Sequence, residues 1–389
     1  MPQFKVTFLG TLILVVSSFT QANDFFQHHE VLHSKSLNED RRAIVQIPRS
    51  YASDSEREYP VIYLLDGMDN LPMVSGMLNR LQQSDIAPEL IIVAIENTDR
   101  LRDLTPTVNY DPRGPAGKGG SGDKFLDFIE MELIPHINQK YRTHDFKIFL
   151  GASIGGLLVI HSLQSRPHLF QAHMAFSPAV WWGDRTTAKK TKEFISKAKA
   201  LDNYLYMNIG EEGGDMRTVY DDLHSFLQKN KPENLKLKTD AFDTVPHGLT
   251  AAAGVFNAFQ NLFLPLNMPP QELTYGMKSV HSYFSRVSQQ RGKTISPSER
   301  VINGLGHYLV DQNDLSTAIE LFKFNTKQHS NSAIAHNSLA YAYEKNGQIK
   351  NSLKQVNLAL TLSKESDSGY DVYIQRKNRL ISAAKSAMN

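Results

Sequence analysis

Cysteine is absent from the 389-residue chain, which excludes disulfide bonds, thiolate catalysis and cysteine-based zinc sites. The chain also has no large excess of charge of either sign, because its 42 Lys and Arg residues are nearly balanced by 40 Asp and Glu residues. No block of basic residues stands out, so the composition gives no indication of a nucleic-acid partner. Hydrophobic residues make up 41% of the chain, which is ample for a globular core, and the length predicts two or more domains.

The N-terminus carries a short apolar run. Residues 6–19, VTFLGTLILVVSSF, follow a start with one lysine and precede TQA at 20–22, which ends in a small residue. This arrangement is typical of a secretory signal peptide, and the run is shorter than the roughly 20 apolar residues that a bilayer span needs. We therefore expect residues 1–22 to be a cleaved signal peptide and the mature protein to be secreted or periplasmic. An N-terminal membrane anchor is the alternative.

Apolar strand patterns alternate with helical patterns over residues 23–268. Such alternation indicates a mostly parallel sheet covered by helices on both faces, an α/β fold. The segment 264–273 breaks the rhythm with three prolines and marks a domain boundary, beyond which residues 269–389 are predicted to be helical. The strand patterns lie in 41–47, 59–70, 89–100, 146–153, 203–215 and 235–248, and the helical patterns in 70–83, 123–141, 154–165, 217–230 and 249–263.

The helical region contains an internal repeat. Residues 305–328 superpose on 339–362 at a shift of about 34 residues, the period expected for tetratricopeptide repeats. Small residues, Gly306 and Ala340, fall where paired helices would approach closely. Two repeats, at about 303–363, are fewer than the three usually needed to bury their faces. We therefore expect them to pack on the preceding domain, on another copy of the chain or on a protein partner.

A serine stands where a strand pattern changes into a helical pattern. The segment is KIFLGASIGGLLVIHSLQ, residues 147–164, with Ser153 at the change. Glycines two positions before and after it, Gly151 and Gly155, relieve the crowding of a sharp strand-to-helix turn. Such a turn exposes the serine to a base and a substrate, and the N-terminus of the next helix favours negative charge there. The pattern predicts Ser153 as a nucleophile, with an incidental serine in a glycine-rich turn as the alternative.

A nucleophilic serine needs a base and an orienting acid, here in the chain order Ser, then Asp or Glu, then His. His247 lies between the last strand pattern and the last helix of the domain, at the carboxyl edge of the sheet, and is the predicted base. The acid is expected after the strand in 203–215, where Glu211, Glu212 and Asp215 crowd together. We favour Glu212, with Asp215 as the second choice.

The oxyanion that develops during acyl transfer needs preorganised N–H donors. One predicted donor is the backbone of Ile154, directly after the nucleophile. The other is expected from the loop in LLDGMDN, where Gly67 or Met68 is the donor. This set of residues implies no metal and no cofactor.

Substrate contacts are predicted on a long glycine-rich loop and on a tryptophan pair. Arg100 and Arg102 are candidates for holding an acidic or catecholate-bearing substrate, and the alternative for Arg102 is an ion pair with Asp103. Trp181 and Trp182 are candidates for the wall of the acyl pocket, with core packing as the alternative.

Several of these stretches resemble a known family. The region 30–265 resembles the "putative esterase" branch of α/β-hydrolases, which includes S-formylglutathione hydrolase, feruloyl esterases and enterobactin-type siderophore esterases. The resemblance is closest to periplasmic siderophore-esterase-like serine hydrolases. It implies the α/β-hydrolase fold, Ser153 as nucleophile, His247 as base and an acid on the loop that holds Glu212. The matching stretches are 37–48, 59–67, 100–106, 125–143, 151–156 and 176–182.

Together these features predict a secreted serine esterase that cleaves carboxylic esters of small molecules through an acyl-enzyme, with siderophore-type esters among the candidate substrates. An acyltransferase on the same scaffold is one alternative. A catalytically inert protein that binds a partner through its repeats is the other.

Overall fold

The computed structural model describes residues 26–84, 86–112, 114–290 and 295–386. The signal peptide predicted at 1–22 lies outside these residues. The described chain consists of an α/β unit followed by a unit made only of helices and their connections.

Ten strands are present among the described residues, eight of them in one sheet. In chain order they are β1 (Phe26–Ser34), β2 (Glu39–Ile47), β3 (Tyr59–Leu64), β4 (Ile91–Ile95), β5 (Val108–Asn109), β6 (Lys118–Gly119), β7 (Thr143–Ala152), β8 (Ala172–Phe176), β9 (Tyr204–Ile209) and β10 (Lys236–Ala241). The large sheet has the order β1-β2-β4-β3-β7-β8-β9-β10. Within this sheet the six strands from β4 to β10 pair in parallel, whereas β1 and β2 add antiparallel pairings at one edge. The carboxyl ends of β3, β7, β8 and β9 therefore meet at one edge of the sheet.

Helices cover both faces of this sheet. Those of the α/β unit are α1 (Gly67–Gln83), α2 (Arg100–Leu104), α3 (Gly122–Phe128), α4 (Ile134–Lys140), α5 (Ile154–Ser165), α6 (Trp182–Lys197), α7 (Gly214–Asn230) and α8 (Thr250–Phe263). The apolar residues of α1 and α8 fill one face, and those of α3 to α7 fill the other. The predicted α/β architecture, a mostly parallel sheet with helices on both sides, is confirmed.

Strand β3 shows why the sheet was visible in the sequence. Val61 and Tyr63 belong to the core cluster under α3 to α7, and Ile62 and Leu64 belong to the cluster under α1 and α8. Side chains alternate between the two faces of a strand, so a strand buried on both faces has no polar side and reads as an unbroken apolar run.

Among the elements that the sequence patterns missed are β1, β8 and α6. Strand β1 is an edge strand with mostly exposed or half-buried side chains, and β8 is only five residues long. Helix α6 is rich in Thr and Lys, and its buried stripe consists of small or polar residues with a single large aliphatic side chain, Ile195, after its first turn. Each therefore lacks the long apolar periodicity on which the prediction depends.

The C-terminal unit repeats a pair of helices. Its helices are α9 (Met277–Gln290), α10 (Glu299–Asp311), α11 (Leu315–Gln328), α12 (Ala333–Lys345), α13 (Ile349–Leu362) and α14 (Tyr370–Ser386). The pair α10–α11 recurs as α12–α13 with starts 34 residues apart. Gly306 lies against Phe322, where a Cβ would come 2.5 Å from the ring, so the predicted close approach is confirmed. Membership of the tetratricopeptide family stays a prediction.

The two units share a packed junction. Leu266 packs against the core under α1 and α8 and also against the core of the helical unit. Met268, which the sequence places at the end of the first domain, is buried in the helical core together with residues of α9. The connecting segment thus joins the two cores, whereas packing of the two repeats on the preceding domain, on another copy or on a partner stays a prediction.

The strand ends at Asp66 and Ser153 carry backbone conformations that favour glycine, yet neither residue is glycine. Asp66 follows β3 with φ 50° and ψ 50°, and Ser153 follows β7 with φ 56° and ψ −116°. A positive φ in a residue with a Cβ costs on the order of 1–3 kcal/mol and persists where the surroundings enforce it. Both strained residues lie at the carboxyl edge of the sheet, where functional side chains are expected.

The strain at Ser153 predicts a stability difference between two variants. Ser153→Gly and Ser153→Ala both lose the hydroxyl group, but only glycine adopts this conformation without a steric penalty. We expect the free energy of unfolding of Ser153→Gly to exceed that of Ser153→Ala by about 1 kcal/mol, measured by urea unfolding of the whole chain. An alanine variant as stable as the glycine variant would contradict strain at this position.

Candidate active site

The turn at Ser153 is held by backbone contacts on both sides. The N–H of Ser153 donates to the carbonyl of Phe176 at the end of β8 (2.8 Å), and its carbonyl accepts from the N–H of Ala179 (3.0 Å). A Cβ on Gly151 would lie 2.6 Å from the carbonyl carbon of Gly155, closer than two carbon atoms pack. Glycine at position 151 is therefore required for the sharp turn, as the sequence predicts.

Ser153, His247 and Glu212 form a continuous hydrogen-bonded line. The distance from Ser153 Oγ to His247 Nε2 is 2.9 Å, and that from His247 Nδ1 to Glu212 Oε1 is 2.7 Å. His247 is the first residue of a 3₁₀ turn (His247–Leu249) that leads into α8. The hydroxyl of Thr250 donates to the His247 carbonyl (3.0 Å). The His247 side chain is 43% exposed and that of Glu212 is 8% exposed, so the line runs from the interior towards solvent.

The loop after β9 positions the carboxylate of Glu212. The N–H of Gly210 donates to Glu212 Oε2 (2.5 Å), and the N–H of Glu211 donates to the carbonyl of Val245 (2.9 Å). A Cβ on Gly210 would collide with that same carbonyl oxygen. Glycine at position 210 therefore lets the acid-bearing loop approach the histidine-bearing loop.

The pKa of the Glu212 carboxyl lies below its ordinary value. Burial raises this pKa, but hydrogen bonds, among them those from the His247 side chain and the Gly210 N–H, lower it by more. The charged form therefore persists next to the imidazole. Asp215, the second choice for the acid, lies in the first turn of α7 and faces Arg185, with 3.5 Å between Nη2 and Oδ1.

Asn208 is a supporting residue that the sequence patterns did not single out. Its fully buried side chain donates through Nδ2 to the carbonyl of Thr250 (2.8 Å) and accepts through Oδ1 from the N–H of Ser177 (3.0 Å). It thereby ties the end of β9 to the loop after β8 and to the start of α8. An amide within an otherwise apolar strand was the available signal, because a buried polar group must have partners.

The predicted oxyanion donors lie at the N-termini of two helices. Ile154 is the first residue of α5, and Gly67 and Met68 are the first two of α1. The first N–H groups of a helix have no partner within that helix. The two turns adjoin, since a Cβ on Gly155 would lie 3.3 Å from Asp66 Oδ2. The three predicted donors thus belong to two neighbouring helix starts at the same sheet edge.

Arg100 has a different environment from the one expected. Its Nε donates to Asp66 Oδ1 (2.7 Å) and its Nη2 to Asp66 Oδ2 (2.9 Å). The guanidinium group is therefore engaged in a bidentate ion pair with Asp66, where the sequence analysis expected a substrate contact. The sequence shows the arginine but gives no indication that its partner lies 34 positions earlier.

Arg102 is likewise committed to carboxylates. Its Nε donates to Asp103 Oδ1 (2.7 Å), and its Nη1 donates to Glu39 Oε2 (3.0 Å). Asp103 also accepts from the buried Arg41 (2.6 Å). The alternative interpretation of Arg102, an ion pair, therefore describes its contacts, and the expected substrate contact does not.

The two tryptophans differ in how deeply they are buried. Trp182 is 2% exposed and its Nε1 donates to the carbonyl of Thr107 (2.7 Å), so it is a core residue and not a pocket wall. Trp181 is half-buried and borders a cavity of about 840 Å³ with Tyr110 on the rim. Asp215, three positions after Glu212, also lines this cavity, which therefore lies next to the acid-bearing loop.

No cluster of three or more His, Asp or Glu side chains suited to a metal ion occurs in the part of the chain that the structure describes. The hydrogen-bonded line has the composition of a Ser–His–acid triad, a set of side chains that can perform acyl transfer.

Several known proteins are similar to this chain in sequence. The ferri-bacillibactin esterase BesA of Bacillus subtilis is 31% identical over 189 residues, which are 44% of this chain and 65% of that protein. The siderophore triacetylfusarinine C esterase of Aspergillus fumigatus is 33% identical over 152 residues, 36% of this chain and 51% of that protein. The chain thus spans about half to two thirds of the length of these curated relatives.

A solved structure and a family model extend the comparison. The structure of an IroE-like serine hydrolase from Shewanella oneidensis superposes with a TM-score of 0.70 at 25% identity, covering 78% of this chain and 99% of that one. Residues 34–250, more than half of the chain, match the family model described as "Putative esterase". The chain therefore belongs to this esterase family and has its α/β-hydrolase fold.

Proposed function

We propose that the protein is a carboxylic-ester hydrolase that works through a Ser–His–Glu triad and an acyl-enzyme. The observation that carries the proposal is the hydrogen-bonded line from Ser153 Oγ through His247 to Glu212. Membership of the esterase family supports it, as do the strained turn at Ser153 and the helix starts around it.

In the acylation step His247 Nε2 takes the proton of the Ser153 hydroxyl while Oγ attacks the ester carbonyl. Glu212 holds the ring and stabilises the imidazolium that forms. The N–H groups of Ile154 and of Gly67 or Met68 would receive the oxyanion, an interaction that contributes several kcal/mol in comparable sites. Collapse of the intermediate expels the alcohol with the proton from His247. Water then repeats the sequence and releases the acid.

The substrate class that we propose is a bulky, siderophore-type ester. One relative is named as a ferri-bacillibactin esterase and another as a siderophore esterase, and the half-exposed His247 leaves the triad open to large molecules. The cavity beside the acid-bearing loop offers about 840 Å³ and two aromatic side chains, Trp181 and Tyr110. Aromatic surfaces of this kind pack well against planar acyl groups.

A panel of esters tests this function. Wild-type protein is expected to hydrolyse chromogenic short-chain esters and trilactone siderophores, and Ser153→Ala to lose at least about 10³-fold in kcat. Rates that are equal in the two proteins would leave only the binding alternative. Product analysis with an added acceptor alcohol distinguishes hydrolysis from acyl transfer, because transfer would yield a new ester.

The acid is tested by a pair of isosteric variants. Glu212→Gln keeps the size of the side chain but removes the charge that stabilises the imidazolium, so we expect kcat to fall about 10²- to 10⁴-fold. Asp215→Asn, three residues away, is expected to lower kcat less than about tenfold. Equal losses in the two variants, measured with one chromogenic ester, would contradict the assignment of Glu212.

We also propose that the chain is exported by the segment 1–22, on the strength of its charged start, apolar run and small-residue exit. When the full chain is expressed in a Gram-negative host, the periplasmic fraction is expected to contain protein that begins near residue 23. N-terminal sequencing checks this expectation. Protein that keeps residues 1–22 and stays with the membrane would support the anchor instead.

A further inference from the structure

We propose that Arg100 is a positioning residue that keeps the Asp66 carboxylate away from the oxyanion donors, an inference that rests on the proposed ester hydrolysis. The oxyanion loop is defined here as residues 65–68, which connect β3 to α1. Arg100 would act only through this loop and would not touch the substrate.

Asp66 precedes α1 but does not cap it with its side chain. An aspartate at this position ordinarily accepts a hydrogen bond from one of the first N–H groups of its helix. Here no such bond is made, and the carboxylate instead accepts from Arg100 Nε and Nη2 (2.7 and 2.9 Å) and from Asn97 Nδ2 (2.6 Å). The N–H groups of Gly67 and Met68 are consequently not used by Asp66.

The same guanidinium reaches the other half of the site. Arg100 Nη2 lies 3.5 Å from the carbonyl oxygen of Ala152, the residue before the nucleophile. Gly155, in the first turn of α5, packs on Asp66, because a Cβ there would lie 3.3 Å from Oδ2. Arg100 therefore bridges the oxyanion loop and the turn at Ser153.

The charges explain why such a bridge matters. The Asp66 side chain is 7% exposed, so its carboxylate is screened only weakly by solvent. A bare carboxylate here would oppose the negative charge that develops on the substrate, and it could also bind the N–H groups of its own helix. The bidentate guanidinium balances the charge and holds the two oxygens in a fixed direction.

The test compares an ester with the matching thionoester, in which sulfur replaces the carbonyl oxygen. Oxyanion donors stabilise oxygen far more than sulfur, so damage to the donors lowers the rate with the oxygen ester selectively. We expect Arg100→Gln to reduce kcat for the oxygen ester about 10- to 100-fold with little change in KM, and the thionoester much less. Adding Asp66→Asn to this variant is expected to restore part of the loss, because the competing charge is removed.

Arg102→Gln is the matched control, because it also removes an α2 arginine that pairs with two carboxylates. These carboxylates belong to Asp103 and Glu39, and neither lies in the oxyanion loop. This variant is expected to keep the ratio of oxygen-ester to thionoester rates, even if thermal unfolding shows lower stability. Equal losses with both esters in Arg100→Gln, or no recovery on adding Asp66→Asn, would overturn the proposal.

A second measurement separates this proposal from the proposed function. An alkyl fluorophosphonate forms a bond from phosphorus to Ser153 Oγ and releases fluoride, while His247 accepts the proton, and its P=O oxygen uses the same donors. If the wild-type protein is labelled but cleaves no ester, the proposed ester hydrolysis is wrong. The role of Arg100 would then be decided by labelling, which Arg100→Gln is expected to slow at least tenfold; an unchanged labelling rate would overturn it.

Discussion

The contact between Ser153 and His247 depends on two places where backbones meet without room for a Cβ. At the first, Gly151 allows the strand to turn directly into α5 and raises the hydroxyl above the sheet edge. At the second, Gly210 allows the loop of Glu212 to reach the carbonyl of Val245, two residues before the histidine. Interior packing leaves no slack for an added methyl group at such points. Three distant segments are thereby held within hydrogen-bonding distance of one another.

The parallel sheet turns these local fits into one site. Strands β3, β7, β8 and β9 deliver the oxyanion loop, the nucleophile turn, the loop of Ser177 and the acid-bearing loop to a single edge. Asn208 then links the last two of these to the start of α8. The helical unit contributes none of the residues on this edge that the structure describes, and its packing junction at Leu266 lies on the core under α1 and α8.

Much of this arrangement was predictable because its signals are local. Strand β3 is apolar on both faces, and the glycines at positions 151 and 155 indicate the turn at Ser153 within a stretch of five residues. The roles of Arg100 and Trp182 were not predictable in the same way, because each is decided by a partner distant in the chain, Asp66 for one and Thr107 for the other. Charge or aromaticity alone does not tell whether a side chain faces a ligand or another residue. The choice between Glu212 and Asp215 was open for the same reason, since one turn of chain separates an acid that reaches the imidazole from one that faces Arg185.

The open setting of His247 has a consequence for the fate of a covalent adduct. Nearly half of its side chain is exposed, so among the residues that the structure describes the imidazole is left open to water. An acyl group on Ser153 would thus be open to attack by water, and an acceptor alcohol would have to compete with that water. In the proposed reaction, this exposed rim would favour release of the acyl group to water over its transfer to another alcohol.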